Sequence, residues 1–322
     1  MTMAIEVEHY VPPSVTQEPL DYADLPIIDL SKGPRPEEVR EAMQTYGFFY
    51  VVGHGLSLSE NQRIFDIADI LFTAVSDEEK QRIVPGYKLR QYWHIDNGVK
   101  DQIEHYNIHR DVTVRQHPEG LRPYLEEIEA FMRHNHFNVL HPILRLLALG
   151  LGLPENTLVD IHGYSSVGET FSEDNKKTKN VWLKGHTGTS SIILRPCLQL
   201  QILTPSGDWK WVKHVENALV INAGDALEFL SGERSFNLPR IRKGYPRLGV
   251  FYFAMPDDNV KLLPLVNTKV PSRRFVDVDA PTMEEWRKGR TVAYGKTQTR
   301  KAEGEERVEE EVIAGVVNKH YN

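Results

Sequence analysis

His186 and Gly188 stand two residues apart in the run Gly-His-Thr-Gly-Thr-Ser-Ser-Ile-Ile-Leu, 185–194. In extended chain a spacing of two sends both side chains to the same side. A histidine followed at that spacing by a carboxylate would therefore offer two donors to one metal ion. Glycine at the second position leaves half of such a pair. Two other runs hold complete pairs: His94 with Asp96 in Trp-His-Ile-Asp, and His214 with Glu216 in Lys-His-Val-Glu-Asn. The first is expected in a loop that lines a pocket or faces solvent. The second is expected on a strand, pointing outward. No histidine occurs between His214 and His320.

The chain that must position these groups has 322 residues, a net charge of −7, 40% hydrophobic and 26% charged residues. That length can bury a sizeable core, and mild acidity argues against nucleic acid or an anionic membrane as partner. The single cysteine, Cys197, excludes an internal disulfide and any Cys-x-x-Cys site. The start of the chain has no apolar run of signal-peptide length, and no stretch approaches the roughly 20 apolar residues of a membrane span. A cytoplasmic protein acting on a small molecule is the expectation.

The local patterns divide the chain into three parts. Residues 1–24 are polar and proline-containing, as an extended arm would be. Leu-Pro-Ile-Ile-Asp-Leu predicts a strand. Val39, Met43 and Tyr46 then fall at helical spacing between Pro36 and Gly47, and Phe-Phe-Tyr-Val-Val-Gly-His-Gly predicts a buried strand. Ile64, Ile67, Ile70 and Leu71 predict an amphipathic helix over 58–83. Residues 84–120 are loop-rich, and 121–150 predict one long helix. After residue 160 come the short strand candidates Ser-Ile-Ile-Leu, Leu-Gln-Leu-Gln-Ile-Leu, Trp-Lys-Trp-Val, Ala-Leu-Val-Ile-Asn, Ala-Leu-Glu-Phe-Leu and Leu-Gly-Val-Phe-Tyr-Phe. Their turn-parted spacing suggests an antiparallel sandwich or barrel. Ser-Gly-Asp at 206–208 marks a hairpin turn. Near the end Thr282 and Glu285 form a capping box, and the charge-rich run from Lys301 predicts a solvated helix.

The order of these motifs resembles one family. Leu-Pro-Ile-Ile-Asp-Leu followed by Gly-Phe-Phe-Tyr-Val-Val-Gly-His-Gly-Leu is similar to the N-terminal region of the isopenicillin-N-synthase-like, Fe(II)- and 2-oxoglutarate-dependent dioxygenases. The segments 86–111, 185–232 and 244–256 resemble later parts of the same family, in order. The resemblance implies an α+β fold whose mainly β core is a double-stranded β-helix, a cupin-like jelly roll, wrapped by N-terminal and C-terminal helices. It implies an N-terminal α/β region over 1–160, the oxygenase core over 161–265 and a helical tail over 266–322. It also implies Fe(II) and 2-oxoglutarate as cofactors and a small organic, secondary metabolite as substrate.

Carried over residue by residue, the family's first iron ligand matches His186, while Gly188 replaces the aspartate. The last ligand, a histidine in the family, aligns with Asn237, Leu238 or Pro239, of which only Asn237 has an oxygen to offer. Arg247 matches the arginine that clamps the 2-oxoglutarate carboxylate, and Gly249 replaces the serine that assists it. Asp225 and His54 match structural positions. Tyr92, Trp93, Tyr106 and Trp182 are candidates for the substrate mouth or for the core. Some halogenases of the superfamily also replace the aspartate by glycine, but they keep the second histidine.

Three functions follow from this pattern. One is redox-neutral or metal-independent chemistry in the retained pocket, with His186 as proton carrier and Arg247 as anion clamp. Another is ordinary dioxygenase hydroxylation or desaturation, in a chain whose written sequence is shortened at the metal loops. The third is a non-catalytic partner of a catalytic paralogue.

Overall fold

Strand, helix and strand open the fold where the sequence puts them. In the computed structural model β1 (Ile27–Asp29) is followed by α1 (Pro36–Tyr46), which begins at proline and ends at Gly47 in the left-handed region. β2 (Phe48–Val52) then returns parallel to β1. Described are residues 7–12, 14, 18–82, 87–88, 94–96, 99–100, 103–165, 169–175, 181–183, 192–195, 200–232, 239–242, 248–265, 279–293, 300–301, 308–313 and 316–321, with backbone alone in several of the short strands.

The predicted helix over 58–83 is two helices, α2 (Leu58–Thr73) and α3 (Asp77–Arg82). Ser57 caps α2 by accepting from the Glu60 backbone N–H at 3.2 Å, and Ser76 does the same for α3 through Glu79. The second cap restarts the helix and breaks the run. The short strands β3 (Tyr87–Lys88), β4 (His94–Asp96) and β5 (Val99–Lys100) lead to β6 (Ile103–His109).

The single helix expected over 121–150 is interrupted. α4 (Leu125–His134) passes through a π-helical segment, Asn135–Leu140, into α5 (His141–Gly150). Pro142 accounts for this: it cannot donate to the preceding turn and its ring crowds the carbonyl four residues back, so the helix widens just before it. α6 (Thr157–Asp160) is one short turn.

The rest of the core is β7 (Glu169–Asn175), β8 (Val181–Leu183), β9 (Ile192–Arg195), β10 (Leu200–Leu203), β11 (Trp209–Trp211) and β12 (Leu219–Ala223). α7 (Asp225–Ser231), β13 (Pro239–Arg242) and β14 (Gly249–Ala254) complete it. Ala-Leu-Glu-Phe-Leu, expected as a strand, is helix α7. All seven of its residues are buried, and an apolar run buried on every side carries no period to separate helix from strand. His214 and Glu216 are exposed as expected, but they lie beyond the end of β11 and not on a strand.

The tail also departs from expectation. α8 (Met283–Ala293) is the capped helix, with the Glu285 backbone N–H donating to Thr282 Oγ1 at 3.3 Å. After it the charge-rich run becomes β16 (Val308–Ile313), between β15 (Arg300–Lys301) and β17 (Val316–Tyr321). Six residue pairs join β16 to β17 in a hairpin, with β15 on the other edge, and this cross-strand pairing overrides the helical preference of the glutamates.

Two sheets make the core. The larger runs β1-β2-β12-β9-β14-β7-β6-β3 and the smaller β11-β10-β13-β8. One face of the large sheet is covered by helices: Phe49, Val51, Leu219, Ile221, Ala223 and Tyr252 join Ile64, Leu71, Met132 and Leu144 in one apolar cluster. The other face meets the small sheet, where Phe48, Tyr50 and Val220 pack on Leu200 and Ile202. Alternate residues of each central strand thus serve opposite faces. The result is a jelly-roll core without a closed barrel. Among the described residues no helix is long and apolar enough to cross a membrane.

A node of polar contacts holds the helical layer to the sheets. His54 Nε2 lies 2.8 Å from the Asn217 carbonyl, Asn61 donates to Asn217 Oδ1 at 2.6 Å, and Asn217 donates to the Leu56 carbonyl at 2.9 Å. Asn217 takes φ of 50°, which an asparagine tolerates. His54 is structural, as expected.

Candidate active site

Phe48, Tyr50, Val220, Leu200 and Ile202 pack the larger sheet on the smaller one, and the residues of β6, β12 and β14 that alternate with the helix-facing ones belong to this opposite, cup face of the larger sheet. Alternation decides what enters it. On β6, Tyr106 and Ile108 line a small apolar cavity of about 30 Å³ on the helical side, with Ile64, Leu71, Phe131 and Val250. His105 and Asn107 therefore occupy the cup face, and both are buried, at 8% and 5% exposure. On β14, Val250, Tyr252 and Ala254 pack among the helices, which leaves Phe251 and half-buried Phe253 to the cup, ring centroids 6.1 Å apart. On β12 the same rule gives fully buried Asn222.

The ladders order the backbone positions of this face into rows. Lys88 pairs with His105, His105 with Glu173, and Glu173 with Gly249, across β3, β6, β7 and β14. In the next row Asn107 pairs with Phe171 and Phe171 with Phe251. His105 thus shares a row with the Lys88, Glu173 and Gly249 positions, and Asn107 shares the next with the Phe171 and Phe251 positions.

The cup wall is braced from the helical side. Arg110, almost fully buried, donates to the Phe253 carbonyl at 3.0 Å and to the carbonyls of Gly163 and Tyr164 at 3.2 and 3.3 Å. Tyr252 Oη and His136 Nδ1 share a hydrogen bond of 2.7 Å. Burial, with Arg110 nearby, pushes the His136 imidazole down to about 3, and burial lowers His162 to about 4. Burial also raises the Tyr252 phenol. These groups are neutral at ordinary pH, so they fix the backs of Phe251 and Phe253 without placing titrating charge behind them. The π-helical segment is what brings His136 under Tyr252.

Tyr106 belongs to this helical side. Its hydroxyl shares a 2.7 Å hydrogen bond with His117 Nδ1, so it is a core residue and does not line the mouth. Asp225 begins α7, buried, with an Arg290 nitrogen 3.8 Å from one of its oxygens; it is structural. His186, Gly188, Asn237, Leu238 and Arg247 lie outside the described residues, as do Tyr92 and Trp93; the side chain of Trp182 does too. Pro239 is the first residue of β13 and pairs with Ile202. Gly249 is the first residue of β14 and is buried. Among the described residues no three His, Cys, Asp or Glu side chains gather as a metal site.

With that geometry in view, three comparisons bear on the fold. Residues 25–127 match the family model described as the N-terminal part of the non-haem dioxygenase in morphine synthesis. A 2-oxoglutarate-Fe(II) type oxidoreductase of Emericella nidulans, hxnY, is 25% identical over 290 residues, 74% of this chain and 82% of the relative. The chain thus carries the N-terminal signature of the non-haem dioxygenases and is similar to a 2-oxoglutarate-Fe(II) type oxidoreductase along most of its length. Among solved structures, the fold is similar to that of a 2OG-Fe(II) oxygenase family protein from Caulobacter crescentus, with a TM-score of 0.72, 16% identity, and coverage of 84% of this chain and 98% of that one. It is similar also to JOX2 solved with 2OG, Fe and JA, with a TM-score of 0.67, 20% identity, and coverage of 89% and 90%. The proteins it resembles are 2-oxoglutarate- and Fe(II)-dependent oxidoreductases that act on small molecules.

The dioxygenase family's sequence motifs led to His186 and Arg247 but not to His105, Asn107, Asn222, Phe251 or Phe253. One signal was available. In Ile-Glu-His-Tyr-Asn-Ile-His, 103–109, polar residues recur at 105, 107 and 109 with period two, which marks one face of a strand.

Proposed function

We propose that this chain converts a small organic acid by binding and acid–base chemistry in the cup, with its grip on iron much reduced. The observation that carries this reading is the start of β13. β8 ends at Leu183, three residues before His186, and its antiparallel pairing of Leu183 with Ile241 sends the end of β8 and the start of β13 to the same end of the small sheet. There the family needs its second imidazole, and the strand opens with Pro239, which has no donor. With Gly188 also lacking one, the donor set is His186, plus at most the Asn237 amide. Such a set does not fit a three-ligand ferrous site. Loss of outer-shell partners alone costs about 10–100-fold in metal affinity, and loss of two ligands costs several orders of magnitude more.

What remains suits a different task. Arg247 holds a carboxylate, and His186 and the polar groups of the cup handle protons. Phe251 and Phe253 cover an apolar body, as in other ligand pockets. Orientation and general acid–base help of this kind can drive isomerisation, dehydration or cyclisation without net oxidation.

The second reading is ordinary dioxygenase turnover, hydroxylation or desaturation. It is favoured by fold likeness to solved 2OG-Fe(II) oxygenases along nearly their whole length. Anaerobic Fe(II) titration by calorimetry, with and without 2-oxoglutarate, separates the two. The acid–base reading expects no saturable iron binding in either case. Tight binding that strengthens with 2-oxoglutarate overturns it in favour of the oxidative one.

A further inference from the structure

We propose that the seam between α2 and β14 holds a binding site for one small apolar molecule, a dissolved gas of dioxygen's size and polarity, and that the N-terminal arm covers it. The inference goes beyond the acid–base reading and stands independently of it.

The gap follows from side-chain size. α2 turns Ile64, Ile67, Ala68 and Leu71 toward the sheet, at the spacing of one helical stripe. Ala68 is the short member of that stripe. Val250 of β14 belongs to the same apolar cluster as Ala68, and it too is small. Ile108 of β6 and Phe131 of α4 line the space beside them. What remains is the apolar cavity of about 30 Å³. One water-sized sphere needs roughly 10–15 Å³ on this scale, so the space takes a molecule of about two heavy atoms.

Water does not suit that space, because a buried water needs about two to four polar partners. Among the lining side chains Tyr106 alone brings a polar atom, and its hydroxyl is already bonded to His117 Nδ1 at 2.7 Å. The backbone groups of the lining are taken up inside α2 and α4 and in the pairing of β6 and β14 with β7. A cavity lined in this way stays dry, and dry apolar cavities take apolar guests such as xenon.

The arm crosses the same seam. Tyr10 stacks on Phe65 of α2, ring centroids 6.1 Å apart, and its backbone N–H donates to Asp66 Oδ1 at 2.9 Å. Gln62 donates to the Tyr10 carbonyl at 2.9 Å. The Tyr10 hydroxyl in turn accepts from the Leu248 N–H at 3.2 Å, directly before β14. Tyr10, Phe65 and Phe131 pack against the cluster of Ala68, Leu248 and Val250. One tyrosine thus bridges helix and strand where the gap lies, and its release uncovers the way in.

The test uses the full chain with labelled Ile, Leu and Val methyl groups, and xenon as probe. Methyl NMR under rising xenon pressure should give saturable shifts confined to the lining residues, Ile64, Leu71, Ile108 and Val250 among them. Dissolved dioxygen, being paramagnetic, should broaden the same signals selectively, and xenon should relieve the broadening by competition. Val250→Ile adds a methylene to the gap and should abolish the xenon shifts. Ala68→Val fills it from α2 and decides the matter if Val250→Ile overpacks and lowers the thermal melt. Tyr10→Ala should speed xenon exchange, read from the xenon line shape, and leave the bound shifts in place. Shifts spread over the surface, failure to saturate, or wild-type shifts in both filled variants overturn the site. Water-to-methyl cross-peaks at the lining residues overturn it too, by showing a wet cavity. Uniform broadening by dioxygen overturns that gas as occupant, and unchanged exchange in Tyr10→Ala overturns the arm as cover. No readout involves turnover, so failure here leaves the acid–base reading untouched.

Discussion

Lowering the pH should unfold this protein through its buried histidines well before its carboxylates titrate. His136 and His162 are almost wholly enclosed, and their imidazoles are held at about 3 and about 4, against 6.5 for the free side chain. Desolvation is the leading cause in both. In the unfolded chain both regain the ordinary value and take up protons as the pH falls through it. The folded state binds none in that range, so stability is present in full above about pH 6.5 and declines below it. The decline continues until the pH reaches the folded-state values.

At pH 5 the linkage relation gives about 2 kcal/mol lost per histidine, or about 4 kcal/mol for the two. That is a large part of the roughly 5–15 kcal/mol by which a domain is stable. Burial also lowers His54, His117 and His141, which adds to the effect with the same sign. The window from pH 7 to 5 lies above the ordinary carboxylate range, so Asp and Glu contribute little within it. The assay is urea unfolding at constant ionic strength across that window. The free energy of unfolding should fall with a limiting slope of at least two protons, and in His136→Gln the slope should drop by about one. A flat profile from pH 7 to 5, or an undiminished slope in that variant, would refute the assignment of both imidazoles as buried and neutral.

Lys80 and Glu104 form an ion pair of 2.7 Å with each side chain 5% exposed, which ties α3 to β6 directly before His105. Lys80→Met should lower stability by about 3–5 kcal/mol, because it strands a buried charge, and the double variant Lys80→Met, Glu104→Leu should recover much of the loss; chemical denaturation of the three forms measures this, and equal losses in single and double variants would contradict it. Trp286 is fully buried on α8, 5.1 Å centroid to centroid from Phe229 of α7. Trp286→Ala should cost about 3–5 kcal/mol and increase hydrogen exchange in both helices, detectable by mass spectrometry; exchange that rises in α8 alone would show that the two helices do not depend on each other.

Much of the frame was legible because it is local. Pro36 and Gly47 delimit α1, the β-branched and aromatic run 48–52 can be little but strand, and Ser-Gly-Asp sets the β10–β11 turn. The family resemblance added the jelly roll and pointed to the iron positions. Elements were misread where local chemistry is ambiguous or overruled. Ala-Leu-Glu-Phe-Leu has no period because α7 is buried all round. The glutamates of β16 prefer helix in isolation, and the hairpin with β17 and the pairing with β15 complete their backbone hydrogen bonds as strand. Pro142 was visible, but whether it would stop, kink or widen the helix depends on what packs against it.

By itself the sequence determined which donors the motifs can offer: His186 with Gly188 two residues on, Asn237, Leu238 or Pro239 where the resemblance implies a histidine, and Arg247 with Gly249 two residues on. Composition cannot restore a missing ligand, so no fold could change that part. The tertiary structure decided which face of β6 looks into the cup. Glu104 and His105 are adjacent, polar and both buried. Only the packing of Tyr106 and Ile108 under the helices turns one toward Lys80 and the other to the opposite face of the sheet. The same packing sets the register that places Glu173 opposite His105, a pairing across 68 residues of chain that no local pattern encodes.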